Sequence, residues 1–135
     1  IEPIAVQYEI GRALVASAGY YAAPVLSVKT TNSQRRVIVV DGGLQHLGSP
    51  FMQRHEGVSA HQVSLLRASQ FVTDSEDVCE YDIYGSLCLW HDCLISKVKL
   101  PRSIQRGDYL LFNNAGAYGL TAGVSQFIGS DLPNE

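Results

Sequence analysis

Short apolar runs of strand length, separated by turn-forming residues, recur along the whole chain. Runs that alternate with polar residues, or that are continuously apolar and β-branched, are typical of half-buried or buried β-strands. They predict strands at 4–8, 20–29, 35–40, 63–67, 78–84, 93–100 and 108–112. Helical periodicity is weak except near 13–18, and Pro24 should make its strand an edge strand or bend it. Six or seven short strands separated by turns predict a mainly β fold, a Greek-key-like β-sandwich or barrel.

Length and composition add limits to that prediction. With 135 residues, of which 46% are hydrophobic and 17% charged, the chain is long enough for one globular domain with a real core. No apolar run approaches a membrane span and no signal peptide is visible, so we expect no membrane association. The net charge of −3 argues against a nucleic-acid partner.

The cysteine pattern bears on location and on metals. Three cysteines, Cys79, Cys88 and Cys93, are an odd number, which indicates reduced thiols and a cytoplasmic protein. Their spacing lacks the close pairs of a zinc site, so we expect no metal.

The stretch from Tyr84 to Asp92 concentrates the most chemistry. It contains a thiol, an imidazole, a carboxylate and the only Trp of the chain within nine residues. Gly85 permits a tight turn that presents Cys88, with Asp92 four residues later. A Cys beside a His can act as a nucleophile, a proton donor or a metal ligand, depending on its pKa. The alternative is a small buried Cys that follows a turn.

Two further stretches could recognise an anion. In Glu9-Ile10-Gly11-Arg12, Gly11 allows close approach of the backbone to a ligand, and the planar fork of Arg12 suits a phosphate. In 114–119, two glycines frame Tyr118, whose hydroxyl could bind a phosphate or a substrate oxygen. The alternatives are a surface ion pair between Glu9 and Arg12 and a Tyr packed in the core.

These stretches, in this order, resemble the C-terminal part of the fold-type-III decarboxylases that depend on pyridoxal 5'-phosphate (PLP), which include the ornithine, arginine and diaminopimelate decarboxylases. The family motifs Glu-Pro-Gly-Arg, Val-Asp-Gly-Gly, Gly-x-x-Cys-x-x-x-Asp and Gly-Asp-x-Leu through Gly-Ala-Tyr correspond to 9–12, 40–43, 85–92 and 107–118. The resemblance covers nearly the whole chain. It implies the β-domain that these decarboxylases share with alanine racemase.

The resemblance also implies roles for individual residues. Glu9 would pair with the pyridine nitrogen of PLP and keep it protonated, while Gly11 and Arg12 would hold the cofactor phosphate. Tyr118 would lie near the cofactor and its phosphate as a catalytic residue. Cys88 would return a proton to the substrate carbon after carbon dioxide leaves, acting across a dimer interface on the partner subunit's cofactor.

The substrate-binding positions depart from the family pattern. Asp41 is expected to face the distal end of the substrate, and Asp92 to orient the loop, meet the substrate or form a salt bridge across the interface. Leu89 stands where ornithine and diaminopimelate decarboxylases have an acidic residue for a distal amine. Ser49-Pro50 replaces the Arg-Pro pair that diaminopimelate decarboxylases use for a distal carboxylate. Both departures weaken the case for diaminopimelate, and Leu89 weakens the case for ornithine. The expected substrate is a small amino acid, either free or linked to a carrier protein.

The resemblance implies a division of the chain and a set of partners. Residues 1–12 would be the closing strand of an N-terminal (β/α)8 barrel that is missing here, and residues 13–135 the C-terminal β-domain. The cofactor-binding lysine belongs to that barrel, and Lys29, Lys97 and Lys99 lie in other contexts, so we expect no activity from this chain alone. A homodimer with shared active sites is expected. Two alternatives remain: a non-catalytic binding or regulatory β-domain of the decarboxylase-homologue type, and an alanine-racemase-like enzyme domain.

Overall fold

Seven β-strands form one mixed sheet in the computed structural model, which describes residues 4–48, 62–72 and 77–134. The strands are β1 (Tyr21–Thr30), β2 (Arg36–Val40), β3 (Val63–Arg67), β4 (Gln70–Phe71), β5 (Val78–Tyr84), β6 (Cys93–Pro101) and β7 (Tyr109–Phe112). Their order in the sheet is β4-β3-β7-β1-β2-β5-β6. Neighbours are antiparallel except β2 and β5, which are parallel. The prediction of a mainly β fold is confirmed.

The long strand β1 joins the two halves of the sheet. Its first part, Tyr21–Pro24, pairs with β7, whereas Val25–Thr30 pairs with β2 through an irregular register. Proline has no N–H to donate, and Pro24 stands where β1 changes partners. The expectation of an edge strand is wrong, because β1 lies between β7 and β2.

Helical structure precedes β1, as the Ala-rich pattern near 13–18 predicts. A single turn, α1 (Arg12–Val15), continues into a 3-10 turn at Ala16–Ala18. Another 3-10 turn covers Phe127–Gly129. Residues 4–10 form no regular element and are exposed, so the strand predicted at 4–8 does not form here. A strand requires a neighbour for its N–H and C=O groups, and the assignment of 1–12 to a barrel stays a prediction.

The core consists of inward-facing side chains of the central strands. Ile38 and Val40 of β2 and Ile83 of β5 are fully buried, as are Leu110 and Phe112 of β7. Because β2 and β5 are parallel neighbours, the segments that follow them leave the sheet at the same edge. This edge carries the chemical groups that the sequence singles out.

Candidate active site

Two segments meet where β2 and β5 end. We name them the bridge segment (residues 41–48, after β2) and the Cys88 loop (residues 85–92, after β5). The backbone N–H of Ser86 donates to the Gly42 carbonyl at 2.7 Å, and the Leu44 N–H donates to the Asp92 carboxylate at 2.8 Å. The bridge segment therefore fixes the position of the Cys88 loop.

Asp92 organises the Cys88 loop from inside. Its side chain is buried, and its two oxygens accept from the backbone N–H groups of Leu44 (2.8 Å) and Leu87 (2.9 Å). The Gly85 N–H donates to the Asp92 carbonyl at 2.8 Å and closes the loop. Among the roles expected for Asp92, this geometry supports loop orientation, because the carboxylate is turned into the protein.

Glycine is required where these segments touch. A Cβ atom added to Gly85 would lie 2.3 Å from Oδ2 of Asp92 and 2.4 Å from the Cα of Gly43. A Cβ on Gly43 would lie 2.6 Å from both Asp92 oxygens. The Asp-Gly-Gly and Gly-x-x-Cys-x-x-x-Asp motifs are thus two halves of one packing arrangement.

The Cys88 loop presents its thiol outward. Cys88 is exposed, which excludes the alternative of a buried structural Cys. The next residue, Leu89, is half-buried and packs against the core, whereas Trp90 is 88% exposed. The loop therefore has an anchored base and an accessible tip.

Arg12 and Tyr118 form a second cluster. The Arg12 guanidinium carbon lies 5.2 Å from the centroid of the Tyr118 ring, a cation–π distance. The Tyr118 hydroxyl lies 3.5 Å from the position that a Cβ on Gly11 would occupy. Tyr118 is 48% exposed, so the alternative of a core Tyr is wrong. Its backbone adopts the left-handed conformation with φ of 58°, uncommon for a residue with a side chain.

Backbone hydrogen bonds hold the loop that carries Tyr118. On one side, the N–H groups of Ala115 and Gly116 donate to the carbonyls of Gly19 and Ala16, both at 2.9 Å. On the other side, the Gly48 N–H donates to the Gly119 carbonyl at 2.9 Å. The bridge segment consequently contacts both the Cys88 loop and the Tyr118 loop.

A hydrogen-bonded pair that the sequence pattern does not reveal lies behind the bridge segment. The Tyr21 hydroxyl lies 3.1 Å from Nδ1 of His46, and Nε2 of His46 lies 2.8 Å from the Asp131 carbonyl oxygen. A carbonyl only accepts, so Nε2 carries the proton and Nδ1 accepts from the Tyr21 hydroxyl. Burial raises the pKa of Tyr21 to about 12, which keeps this donor protonated. No local motif connects residues 21 and 46.

The remaining predicted site residues lie as follows. Glu9 is exposed and accepts from Nε2 of Gln7 at 3.1 Å, and the described residues contain no Glu9–Arg12 ion pair. Asp41 is exposed at the start of the bridge segment. Ser49-Pro50 lies outside the described residues.

The Arg12 cluster has the chemistry that a cofactor phosphate requires. Within the described ranges no carboxylate forms an ion pair with the Arg12 guanidinium, which stands beside a phenol hydroxyl and a glycine backbone. Arg donates two parallel hydrogen bonds to phosphate, and Gly permits close approach. These residues therefore fit a phosphate group such as that of PLP.

Comparison with known proteins identifies the family. The model of the pyridoxal-dependent decarboxylase C-terminal sheet domain matches residues 13–116. The chain belongs to this family.

Individual decarboxylases agree with that assignment. Diaminopimelate decarboxylase of Buchnera aphidicola is 32% identical over 123 residues, covering 87% of this chain and 28% of that protein. L-glutamyl-[BtrI acyl-carrier protein] decarboxylase of Niallia circulans is 31% identical over 127 residues, covering 94% and 29%. A crystal structure of a diaminopimelate decarboxylase superposes with a TM-score of 0.73 at 31% identity, covering 86% of this chain and 28% of that chain.

The chain thus spans under a third of the length of these decarboxylases. It corresponds to their C-terminal sheet domain. In the part of the chain that the structure describes, no helix has the length and apolar character needed to cross a membrane.

Proposed function

We propose that this chain is the C-terminal domain of a PLP-dependent amino-acid decarboxylase and completes an active site shared between two subunits. The observation that carries the proposal is the Arg12 guanidinium stacked on the Tyr118 ring beside Gly11. A structural Arg–Tyr contact does not need a half-exposed Tyr on a left-handed backbone. A phosphate site uses both features, the cation and the directed hydroxyl.

The first part of the proposal concerns cofactor binding. Arg12, the Gly11 backbone and the Tyr118 hydroxyl hold the phosphate, and the Glu9 carboxylate accepts a hydrogen bond from the protonated pyridine nitrogen and keeps it protonated. Bound PLP supplies an electron sink that lets carbon dioxide leave the substrate α-carbon. The lysine that binds the cofactor comes from an N-terminal barrel domain, of which residues 1–12 form the closing strand.

The second part concerns proton transfer. Cys88 donates the proton of its thiol to the substrate α-carbon after carbon dioxide has left, in the active site of the partner subunit. Its support is the exposed position of the thiol on a loop that Asp92 and the bridge segment hold rigid. A proton donor must be held at hydrogen-bonding distance of its target, and a rigid loop meets that requirement.

The third part concerns the substrate. Asp41 and Leu89 contact its distal part, and the apolar Leu89 offers nothing to a distal ammonium group. We therefore place the substrate among amino acids without a free distal amine, and the relative that acts on a carrier-linked glutamyl group supports including carrier-linked amino acids.

The first test measures PLP affinity and decarboxylation in the complete protein. Arg12→Gln removes the cation and its bidentate geometry, so the Kd for PLP should rise about 10-fold or more. Arg106→Gln, an exposed charge between β6 and β7, is the matched control and should leave the Kd unchanged. Equal affinities of wild type and Arg12→Gln would contradict the phosphate role of Arg12.

Product analysis separates the candidate functions. Wild type is incubated with free diaminopimelate, ornithine, glutamate and a carrier-linked glutamyl substrate, and carbon dioxide and amino-acid chirality are measured. Carbon dioxide from a substrate without a free distal amine supports the proposal. PLP binding with racemisation alone would establish the racemase-like alternative, and absence of both reactions would favour a regulatory domain.

A second test addresses Cys88. Cys88→Ala should lower kcat by about 100-fold or more, the usual contribution of a positioned acid, or yield a carbonyl product by transamination instead of the amine. Cys93→Ala is the matched control, since its half-buried thiol contacts Ser96 at 3.3 Å, and it should retain kcat. A Cys88→Ala enzyme with the wild-type rate and product would overturn the role of this thiol.

A further inference from the structure

A second polar cavity lies at the opposite end of the sheet from the Cys88 loop. It has a volume of about 490 Å³ and is bounded by the first residues of β2, by β5 and by Lys97 of β6. Because β2 and β5 are parallel, the cavity lies where they begin and the Cys88 loop where they end. No role in the proposed decarboxylation accounts for it.

Two carboxylates line this cavity, and they differ in their surroundings. Asp82 is buried, forms an ion pair with Arg35 and accepts from the Lys97 backbone N–H at 3.0 Å. Glu80 lies opposite Lys99 in the antiparallel pairing of β5 with β6, where opposite charges attract. Two cations along the cavity, Arg36 and the Lys97 ammonium, make no ion pair with any residue of 4–48, 62–72 or 77–134.

A buried hydroxyl also lines the cavity. Tyr81 is 1% exposed, and its hydroxyl interacts with the Cys79 thiol and the Arg36 guanidinium without a hydrogen bond of ordinary length in the described part of the chain. Burial, followed by the interaction with Cys79, raises the pKa of Tyr81 although Arg36 lowers it, so the phenol stays protonated and can donate. A buried hydroxyl without a close hydrogen-bond partner costs free energy that a ligand oxygen would recover.

We propose that this cavity binds a small oxyanion, the phosphate or carboxylate group of a free metabolite. Tyr81 donates a hydrogen bond to it, while Arg36 and Lys97 supply the positive charge. This combination of one buried donor and two cations is the chemistry by which proteins recognise such groups. The site is distinct from the Arg12 cluster and does not depend on the proposed decarboxylase activity.

The thiol of Cys79 lines the same cavity and provides a local readout. The complete protein is saturated with PLP, which occupies the Arg12 cluster, and alkylation of each cysteine by iodoacetamide is followed by peptide mass spectrometry. Inorganic phosphate, succinate and sodium chloride are compared at equal ionic strength. A bound anion should slow Cys79 alkylation by the factor 1 + [L]/Kd, about 10-fold at ten times Kd, while Cys93, outside the cavity, keeps its rate.

Variants give the decisive comparison. In Tyr81→Phe and in Arg36→Gln the protection of Cys79 should be largely lost, whereas Arg106→Gln, an exposed charge outside the cavity, should retain it. Protection by phosphate alone assigns a phosphate ligand, and protection by succinate alone assigns a carboxylate. The proposal is overturned if neither anion at about 50 mM slows Cys79 more than chloride does, or if both variants retain full protection.

Discussion

A single carboxylate determines the geometry of the candidate active site. The Asp92 carboxylate accepts from the Leu44 N–H of the bridge segment at 2.8 Å and from the Leu87 N–H of its own loop at 2.9 Å. Charged acceptors form the stronger hydrogen bonds, and inside a protein an N–H group left unpaired is costly. Asp92 therefore holds in place the loop that carries Cys88.

Substitution of Asp92 should loosen both segments together. Asp92→Asn replaces one acceptor oxygen by an NH₂ donor that opposes a backbone N–H. The free energy for local opening of the bridge segment and the Cys88 loop should therefore fall by about 1–3 kcal/mol. Hydrogen exchange of peptides covering 42–48 and 85–92 should then be about 10-fold faster or more. Asp41→Asn, an exposed carboxylate of the same segment, serves as control. Unchanged exchange in Asp92→Asn would contradict the orienting role.

The sequence predicts residues that carry local motifs better than residues that act across the fold. Gly11, Arg12, Cys88 and Tyr118 lie in short glycine-containing stretches, and the structure presents both the thiol and the phenol to solvent. The Tyr21–His46 hydrogen bond has no such signal, because it depends on how β1 packs beside the bridge segment. That packing is a tertiary property, and a local sequence pattern does not predict it.

At the scale of elements, the apolar pattern predicts strands but not their partners. The runs at 35–40, 63–67 and 78–84 are found as strands, while their order in the sheet follows from long-range contacts. The parallel pairing of β2 with β5 is the clearest example. It brings the bridge segment beside the Cys88 loop although the two are about 40 residues apart.

Two local patterns mislead at this scale for opposite reasons. Pro24 suggests an edge, yet β1 is internal because it changes partners at this residue and the missing N–H falls at the change. Residues 4–8 have strand-like composition but no neighbouring strand, so they form no regular element and are exposed. Strand formation depends on a pairing partner as much as on composition.

At the scale of the whole molecule, an ion pair between the buried Asp108 and the partly exposed Arg67 holds the β3–β7 half together. Asp108 is buried and accepts from Nε and Nη2 of Arg67 at 2.8 and 2.7 Å, and from the Gln105 backbone N–H at 2.9 Å. Arg67 also donates to the Ser103 carbonyl at 2.8 Å. β3 is thereby fastened to the turn that precedes β7.

This ion pair should make the stability of the β3–β7 half depend on pH. The hydrogen bond from Arg67 is the main cause that lowers the pKa of Asp108 below its ordinary value. A carboxyl whose pKa is lower in the folded state stabilises the fold fully above its unfolded pKa of about 3.9, and this contribution is lost as the pH falls through the folded value. Stabilisation by Asp108 should therefore be constant near neutrality and disappear in acid.

Asp108→Asn tests this dependence. Near neutral pH the free energy for opening the β3–β7 half should be about 2 kcal/mol lower in the variant than in the wild type. This free energy is measured by hydrogen exchange of the β3 and β7 peptides in the complete protein, after correction for intrinsic rates. Below about pH 4 the difference in opening free energy between wild type and variant should become smaller, since protonation of Asp108 weakens the ion pair in the wild type alone. Asp77→Asn breaks the exposed Asp77–Arg102 pair, which salt screens, and should change little at any pH. If the difference in opening free energy stays constant through the acid range, the packing of Asp108, and not its charge, holds β3 against β7.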